Sequence, residues 1–206
     1  MARKATDTPV RGAYHHGDLR EALVSAAVAA VEQGGAEALS LRELAVAAGV
    51  SSAAPYRHFA DRAAVLAAVV CEGYRDMLAR HAEAQQGRAA AATKLRRSLQ
   101  AFLAFARERP GLFQLMYLQA PPSLAADDDV RALELQAYEA LTASLATVLP
   151  ALPPAALRQR MVTLWATVLG HAVLGLRHPL REAMREGLTD AQIDAAVLDA
   201  AIGPLG

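Results

Sequence analysis

Ser-Leu-Arg-Glu-Leu-Ala-Val-Ala-Ala-Gly-Val-Ser-Ser-Ala-Ala-Pro-Tyr-Arg-His-Phe, residues 40–59, reads as two short helices joined by a tight turn. Ser40 and Glu43 have the S-x-x-E spacing of a capping box, in which a hydroxyl and a carboxylate each satisfy a backbone amide at a helix start. Leu41, Leu44, Ala45 and Ala48 follow at i, i+3, i+4 and i+7 and turn one apolar stripe toward a core. Gly49 suits a left-handed stop, Val50 fills the turn, and Ser51 or Ser52 is placed to cap a second helix ending near Phe59. Such a helix-turn-helix offers its second helix to a DNA major groove while the first braces it.

Outward from this motif the chain of 206 residues reads as all-α, with about nine helices. Hydrophobic content is 54% with alanine abundant and only 5% aromatic, a balance that favours helix over sheet. Residues 1–13 mix Pro, Gly, Thr and charge without apolar periodicity and are expected to be flexible. A first helix is predicted from Asp18 to Gly34-Gly35, with Leu23, Ala27, Ala30 and Val31 as its buried stripe. Beyond the motif Asp61 caps a long fourth helix through about Gln86, whose inner face carries Val65, Leu66, Val69, Val70, Met77 and Leu78. A fifth helix, marked by Leu95, Leu99, Phe102, Leu103 and Ala106, stops before Pro110, and a sixth covers Leu112 to Gln119. A seventh starts at Asp127-Asp128-Asp129, three anions at the positive end of a helix dipole, and ends at about Leu149. The eighth runs from Ala155 to Leu176 and the ninth from Asp190 to Ile202.

Composition excludes more than it assigns. Net charge is zero, and residues 1–62 balance seven cations (Arg3, Lys4, Arg11, Arg20, Arg42, Arg57, Arg62) against seven acids (Asp7, Asp18, Glu21, Glu32, Glu37, Glu43, Asp61). Bulk charge therefore gives no support to nucleic-acid binding. Placement does: acids at 18, 21, 43 and 61 sit at helix starts, which leaves the cations to face phosphates. Arg3, Lys4, Asp7 and Arg11 interrupt any signal peptide, and the apolar run from Trp165 to Leu176 is short of the ~20 residues a bilayer span needs. With one cysteine, Cys71, no disulfide framework forms within the chain, and a cytoplasmic protein is expected. Cys71 lies in an apolar run that raises a thiol pKa, against a redox role. His15-His16 do not converge on one ion, and Cys71 and His81 are ten residues apart on one helix, so no metal site is expected. No phosphate-cradling glycine loop, G-x-S-x-G or H-E-x-x-H is present, and neither an enzyme nor a cofactor is expected.

Tyr14-His15-His16-Gly17-Asp18-Leu19-Arg20, the Ser40/Glu43 pair, Ala-Gly-Val-Ser at 48–51 and Tyr-Arg-His-Phe at 56–59 together resemble a TetR-family transcriptional regulator. The resemblance implies a DNA-binding domain over residues 14–75 and a helical ligand-binding and dimerisation domain over 76–206. Arg109-Pro110-Gly111-Leu112-Phe113-Gln114-Leu115-Met116 and Trp165…Gly170 further resemble a subgroup with a Trp…His-Gly signature, although Leu169 stands where that histidine is expected.

The resemblance places Tyr56 on the recognition helix, its hydroxyl reaching a phosphate or base edge. Phe59, three residues on, is the better core candidate. Ser51, Ser52, Ala53 and Ala54 are small enough for close approach to the groove floor, and alanine methyls can meet thymine methyls; each also reads as ordinary helix-start filler. Pro55 falls in the first turn of this helix, where its missing N–H costs little. Arg57 is a base reader or a solvated cation. His58 meets phosphate or caps the helix end. Ser40 and the amides behind it form a phosphate seat. Arg62 occupies a place where the family often has a phosphate-binding lysine. Arg42, and the tail cations Arg3, Lys4 and Arg11, are weaker candidates.

In the C-terminal half, Phe102, Phe105, Phe113, Met116, Tyr117, Trp165 and His171 supply large apolar surface with a few polar tips, as a ligand pocket requires; aromatics at helical spacing also read as plain core. The eighth helix is apolar on two faces, Leu157, Met161, Leu164 and Val168 on one and Val162, Trp165, Leu169 and Val173 on the other. The first of these, with Ile193, Ala196, Val197 and Ala200 of the ninth helix, is the expected dimer interface, a four-helix arrangement that the resemblance also implies. The expected partners are thus a double-stranded DNA operator, a small apolar effector and a second copy of the chain. The expected function is a homodimeric repressor released by that effector from a near-palindromic operator. Rival readings are an activator on the same fold, and a small-molecule carrier with a vestigial helix-turn-helix.

Overall fold

The computed structural model describes residues 16–177, 183 and 185–203. Among them the chain forms nine α-helices and no strand: α1 His16–Gly34, α2 Leu41–Ala47, α3 Arg62–Ala84, α4 Ala91–Glu108, α5 Pro110–Tyr117, α6 Pro122–Ala125, α7 Asp128–Val148, α8 Pro154–Arg177 and α9 Asp190–Ile202. Two 3-10 turns, Ala36–Ala38 and Pro55–Arg57, flank α2. Tyr14, His15 and the tail cations Arg3, Lys4 and Arg11 lie outside the described residues.

α3 organises the molecule. At 23 residues it is about 35 Å long. It packs on α1 and α5 and, most extensively, on α4 and α7. Its start is fixed by Asp61, whose carboxylate accepts from the Ala64 amide at 2.9 Å. Val65 and Val69 of α3 and Leu23, Ala27 and Val31 of α1 are wholly buried. Each of these valines and the leucine contributes on the order of 1.5–3 kcal/mol over an exposed one. Asp127 caps α7, its carboxylate accepting from the amides of Asp129 and Val130.

Three expectations need correcting. Ser40 takes the N-cap position of α2, but its side chain makes no cap hydrogen bond and the capping box with Glu43 is not formed. Burial of Leu41, Leu44 and Ala45 holds this short helix instead. A capping box does form at α9, between Thr189 and Gln192. The second helix of the motif is not an α-helix, for the reason given below. α6, a single turn begun by Pro122, lies between the expected sixth and seventh helices, where none was expected.

α8 and α9 pack together, and α9 also meets α4. Polar ties fasten it: Arg96 to Asp199, Arg160 to the Ile202 carbonyl, and both Arg107 and His171 to Asp194. Burial works against the Asp194 carboxylate, yet the hydrogen bonds from Arg107 and His171 outweigh it and hold its pKa below the usual value.

Candidate nucleic-acid interface and effector cavity

α2 ends in a Schellman motif. Gly49 has φ +66°, its amide donates to the Val46 carbonyl at 3.1 Å, and the Val50 amide donates to the Ala45 carbonyl at 2.9 Å. From Ser51 the chain winds through i→i+3 bonds, Ala54 to Ser51, Arg57 to Ala54 and His58 to Pro55. Pro55 has no amide hydrogen, so the α-type bond to the Ser51 carbonyl cannot form, and only Pro55–Arg57 is regular helix, of the 3-10 kind. Buried Pro55 and Phe59 pin this segment from below. Tyr56 is 61% exposed while Phe59 is 4% exposed, so the tyrosine is the one turned outward. Ser51, Ser52, Ala53 and Arg57 are exposed beside it, Ala54 and His58 half-buried; Arg42 is exposed on α2 and Ser40 half-buried at its start. Arg20 of α1 lays its guanidinium over the Phe59 ring at 5.3 Å, a brace the sequence reading missed. Arg62 turns inward: it donates to the carbonyls of Leu39 (3.1 Å) and Ala36 (2.5 Å) and lies 3.8 Å from Glu37.

A cavity of about 270 Å³ lies among α3, α4, α7 and α8. α3 presents Tyr74, Met77, Leu78 and His81 to it, and α7 presents Glu134, Ala137, Tyr138 and Leu141, each set at i, i+3, i+4 and i+7. Phe102 is the centre of an aromatic wall, with the Trp165 ring at 5.0 Å and the Tyr117 ring at 5.9 Å. Burial lowers the His81 pKa, and its Nε2 faces the Ser144 hydroxyl at 3.3 Å. Burial, with the nearby Glu134 charge adding to it, raises the Tyr74 and Tyr117 hydroxyls well above their usual range. Arg80 is held by Asp76 and Glu108, both at 2.8 Å, which raises its pKa.

Residues 23–69 match the family described as bacterial regulatory proteins, tetR family, and residues 95–199 match the tetracyclin repressor-like C-terminal domain. The chain belongs to the TetR family. It is a DNA-binding transcriptional regulator of the helix-turn-helix type. A solved protein of unknown function from Rhodococcus sp. RHA1 is 28% identical over 93% of this chain and 97% of its own, with a TM-score of 0.76. A tetR-family transcriptional regulator from Streptomyces coelicolor shares the fold at 17% identity and TM-score 0.72, over 91% of this chain and 80% of its own. So does the transcriptional regulator FadR from Bacillus subtilis, solved in complex with stearoyl-CoA, at 16% identity and TM-score 0.68, over 89% and 97%. No curated protein matches the chain. No helix among the described residues is long and apolar enough to cross a membrane, and no cluster of metal-ligating side chains occurs among them.

Within this TetR-family chain the expected effector residues divide. Phe102, Tyr117 and Trp165 line the cavity. Phe105, Phe113 and Met116 do not; they are buried in the core behind it, Phe113 packed edge-on to Phe102 at 5.7 Å. His171 also lies elsewhere, its Nε2 on Asp194 at 2.7 Å. Tyr74, Arg80, His81, Glu134 and Tyr138 were missed. For all but Arg80 the signal was available: polar-tipped residues at helical spacing on otherwise apolar stripes.

The α8 face expected to meet a second copy is turned inward. Met161, Leu164 and Val168 are buried in the chain's own core, and Leu157 packs against it. The outward face of α8 instead shows Val162, 69% exposed, with Ala166 and Leu174. On α9, Ala196 and Ala200 are exposed and Ile193 and Val197 half-buried.

A chain of ion pairs joins the two halves. Asp76, which holds Arg80 at the cavity, lies 3.6 Å from Arg109, and Arg109 donates to Glu32 of α1 at 3.1 Å. Glu32 also accepts from the amides of Gly111 (3.0 Å) and Leu112 (3.3 Å), so a carboxylate of α1 caps the start of α5. Gly111 is required for this approach: a Cβ there would stand 2.5 Å from the Val31 carbonyl oxygen.

Proposed function

We propose that the chain acts as a homodimeric repressor whose near-palindromic operator is released when a small apolar molecule occupies the α3–α4–α7–α8 cavity. The observation that carries this reading is the continuous path Arg80–Asp76–Arg109–Glu32, which runs from the cavity lining to the last turn of α1, the helix that leads into the helix-turn-helix. An occupant that displaces Arg80 changes what Asp76 offers Arg109, and through Glu32 changes how α1 sits on α5. Ser40, Arg42, Ser51, Ser52, Ala53, Ala54, Tyr56, Arg57 and His58 form the DNA-facing surface, with Tyr56 central. Arg62 supports that surface from behind, since its guanidinium is engaged with Ala36 and Leu39 carbonyls. The second copy docks on Val162, Ala166 and Leu174 of α8 with Ile193, Ala196, Val197 and Ala200 of α9, where small residues allow close helix approach. Two heads so joined reach successive major grooves, centres about 34–36 Å apart.

A coupling of about 1–3 kcal/mol changes operator occupancy 5- to 150-fold. The test is operator affinity with and without a cavity ligand, in the native protein and in Asp76→Asn. The reading requires the ligand to weaken DNA binding in the native protein and to do so less in the variant. Ligand that binds while operator affinity stays unchanged contradicts it.

A further inference from the structure

The charge inventory of the cavity is short. Among the described residues, Arg80, His81 and Glu134 are the lining residues besides tyrosines that ionise. Arg80 is answered twice over, by Asp76 and Glu108. Burial favours the neutral form of His81. Glu134 has no ion-pair partner among the described residues, and its charge reaches the hydroxyls of Tyr74 and Tyr117 across the cavity. An anion entering here meets no unanswered cation and one unanswered carboxylate. A cation meets that carboxylate and the rings of Phe102, Tyr117, Tyr138 and Trp165, a side-chain type whose π-quadrupole attracts positive charge.

We infer that the cavity selects a lipophilic cation, an apolar body carrying a quaternary or protonated nitrogen, over neutral and anionic molecules of the same shape. This rests on the reading of the cavity as the effector site. Trp165 is the single tryptophan of the chain and lines the cavity, so its fluorescence reports occupancy without DNA.

Three probes of similar size separate the possibilities: benzyltrimethylammonium, its neutral isostere neopentylbenzene, and 4-phenylbutanoate. Each is titrated against the full chain and against Glu134→Gln, a substitution at an exposed position whose folding is checked by melting temperature. The cation is expected to bind roughly tenfold tighter than its isostere. Glu134→Gln is expected to remove most of that advantage and leave the isostere unaffected. Equal or tighter binding of neopentylbenzene, or preference for the carboxylate, overturns the inference while the effector-site reading stands. No response of Trp165 to any of the three overturns both.

Discussion

Tyr56 and Phe59 are three residues apart and take opposite environments, one exposed and one in the core. The hydroxyl of this largely exposed ring makes no hydrogen bond among the described residues, which makes it a clean probe of DNA contact. Tyr56→Phe removes only a hydroxyl, so it is expected to leave the melting temperature unchanged and to weaken operator binding by about three- to tenfold, the range of one hydrogen bond. Unchanged affinity in a gel-shift titration removes Tyr56 from the interface. Gly111 makes the opposite kind of prediction. In a helix, Gly→Ala ordinarily stabilises by up to about 1 kcal/mol. Here the added methyl meets the backbone of Val31 and Glu32, so Gly111→Ala is expected to destabilise by roughly 1–3 kcal/mol in urea denaturation. A gain in stability contradicts the close α1–α5 approach.

At the scale of elements, hydrophobic period and breakers in the sequence located the helices well, because burial of one stripe decides whether a helix persists. α3 and α7 begin at their expected caps, Asp61 and Asp127. What escaped the sequence reading is set by neighbours. Ser40 has the right spacing to Glu43 but not the bond, and Pro55 converts the expected recognition helix to 3-10 turns. Which of two apolar faces of α8 meets the core, and that His171 pairs with Asp194 rather than facing the cavity, depend on where α9 docks; no local pattern states it. α3 carries a pH prediction through His81. Its folded pKa lies below its unfolded value, so above about pH 6.5 neither state binds the proton and stability is unaffected. As pH falls below that value the unfolded chain gains a proton that the folded chain refuses, and stability drops by at most about 1.4 kcal/mol per pH unit. His81→Gln should therefore lose less stability than the native chain between pH 7 and pH 5.5 in thermal melts; parallel losses contradict a buried neutral imidazole.

For the whole molecule, a neutral net charge makes DNA binding depend on placement rather than on bulk attraction. The helix-turn-helix supplies the surface, and α3 with the Asp76–Arg109–Glu32 path connects it to the cavity; in the homodimer proposed above, the outward faces of α8 and α9 would dock the second copy. In that homodimer the heads would act as a pair, and the operator should carry the pair's two-fold symmetry. The measurement that tests this most directly is selection of bound genomic fragments by the purified chain, with footprinting of the enriched site at two salt concentrations. The account predicts a protected near-palindrome, half-sites about 34–36 Å apart along the duplex or a multiple of that, occupied by an even number of chains with affinity that falls steeply as salt rises. No enrichment at low salt, or protection of a single half-site by one chain, would contradict the paired-head account.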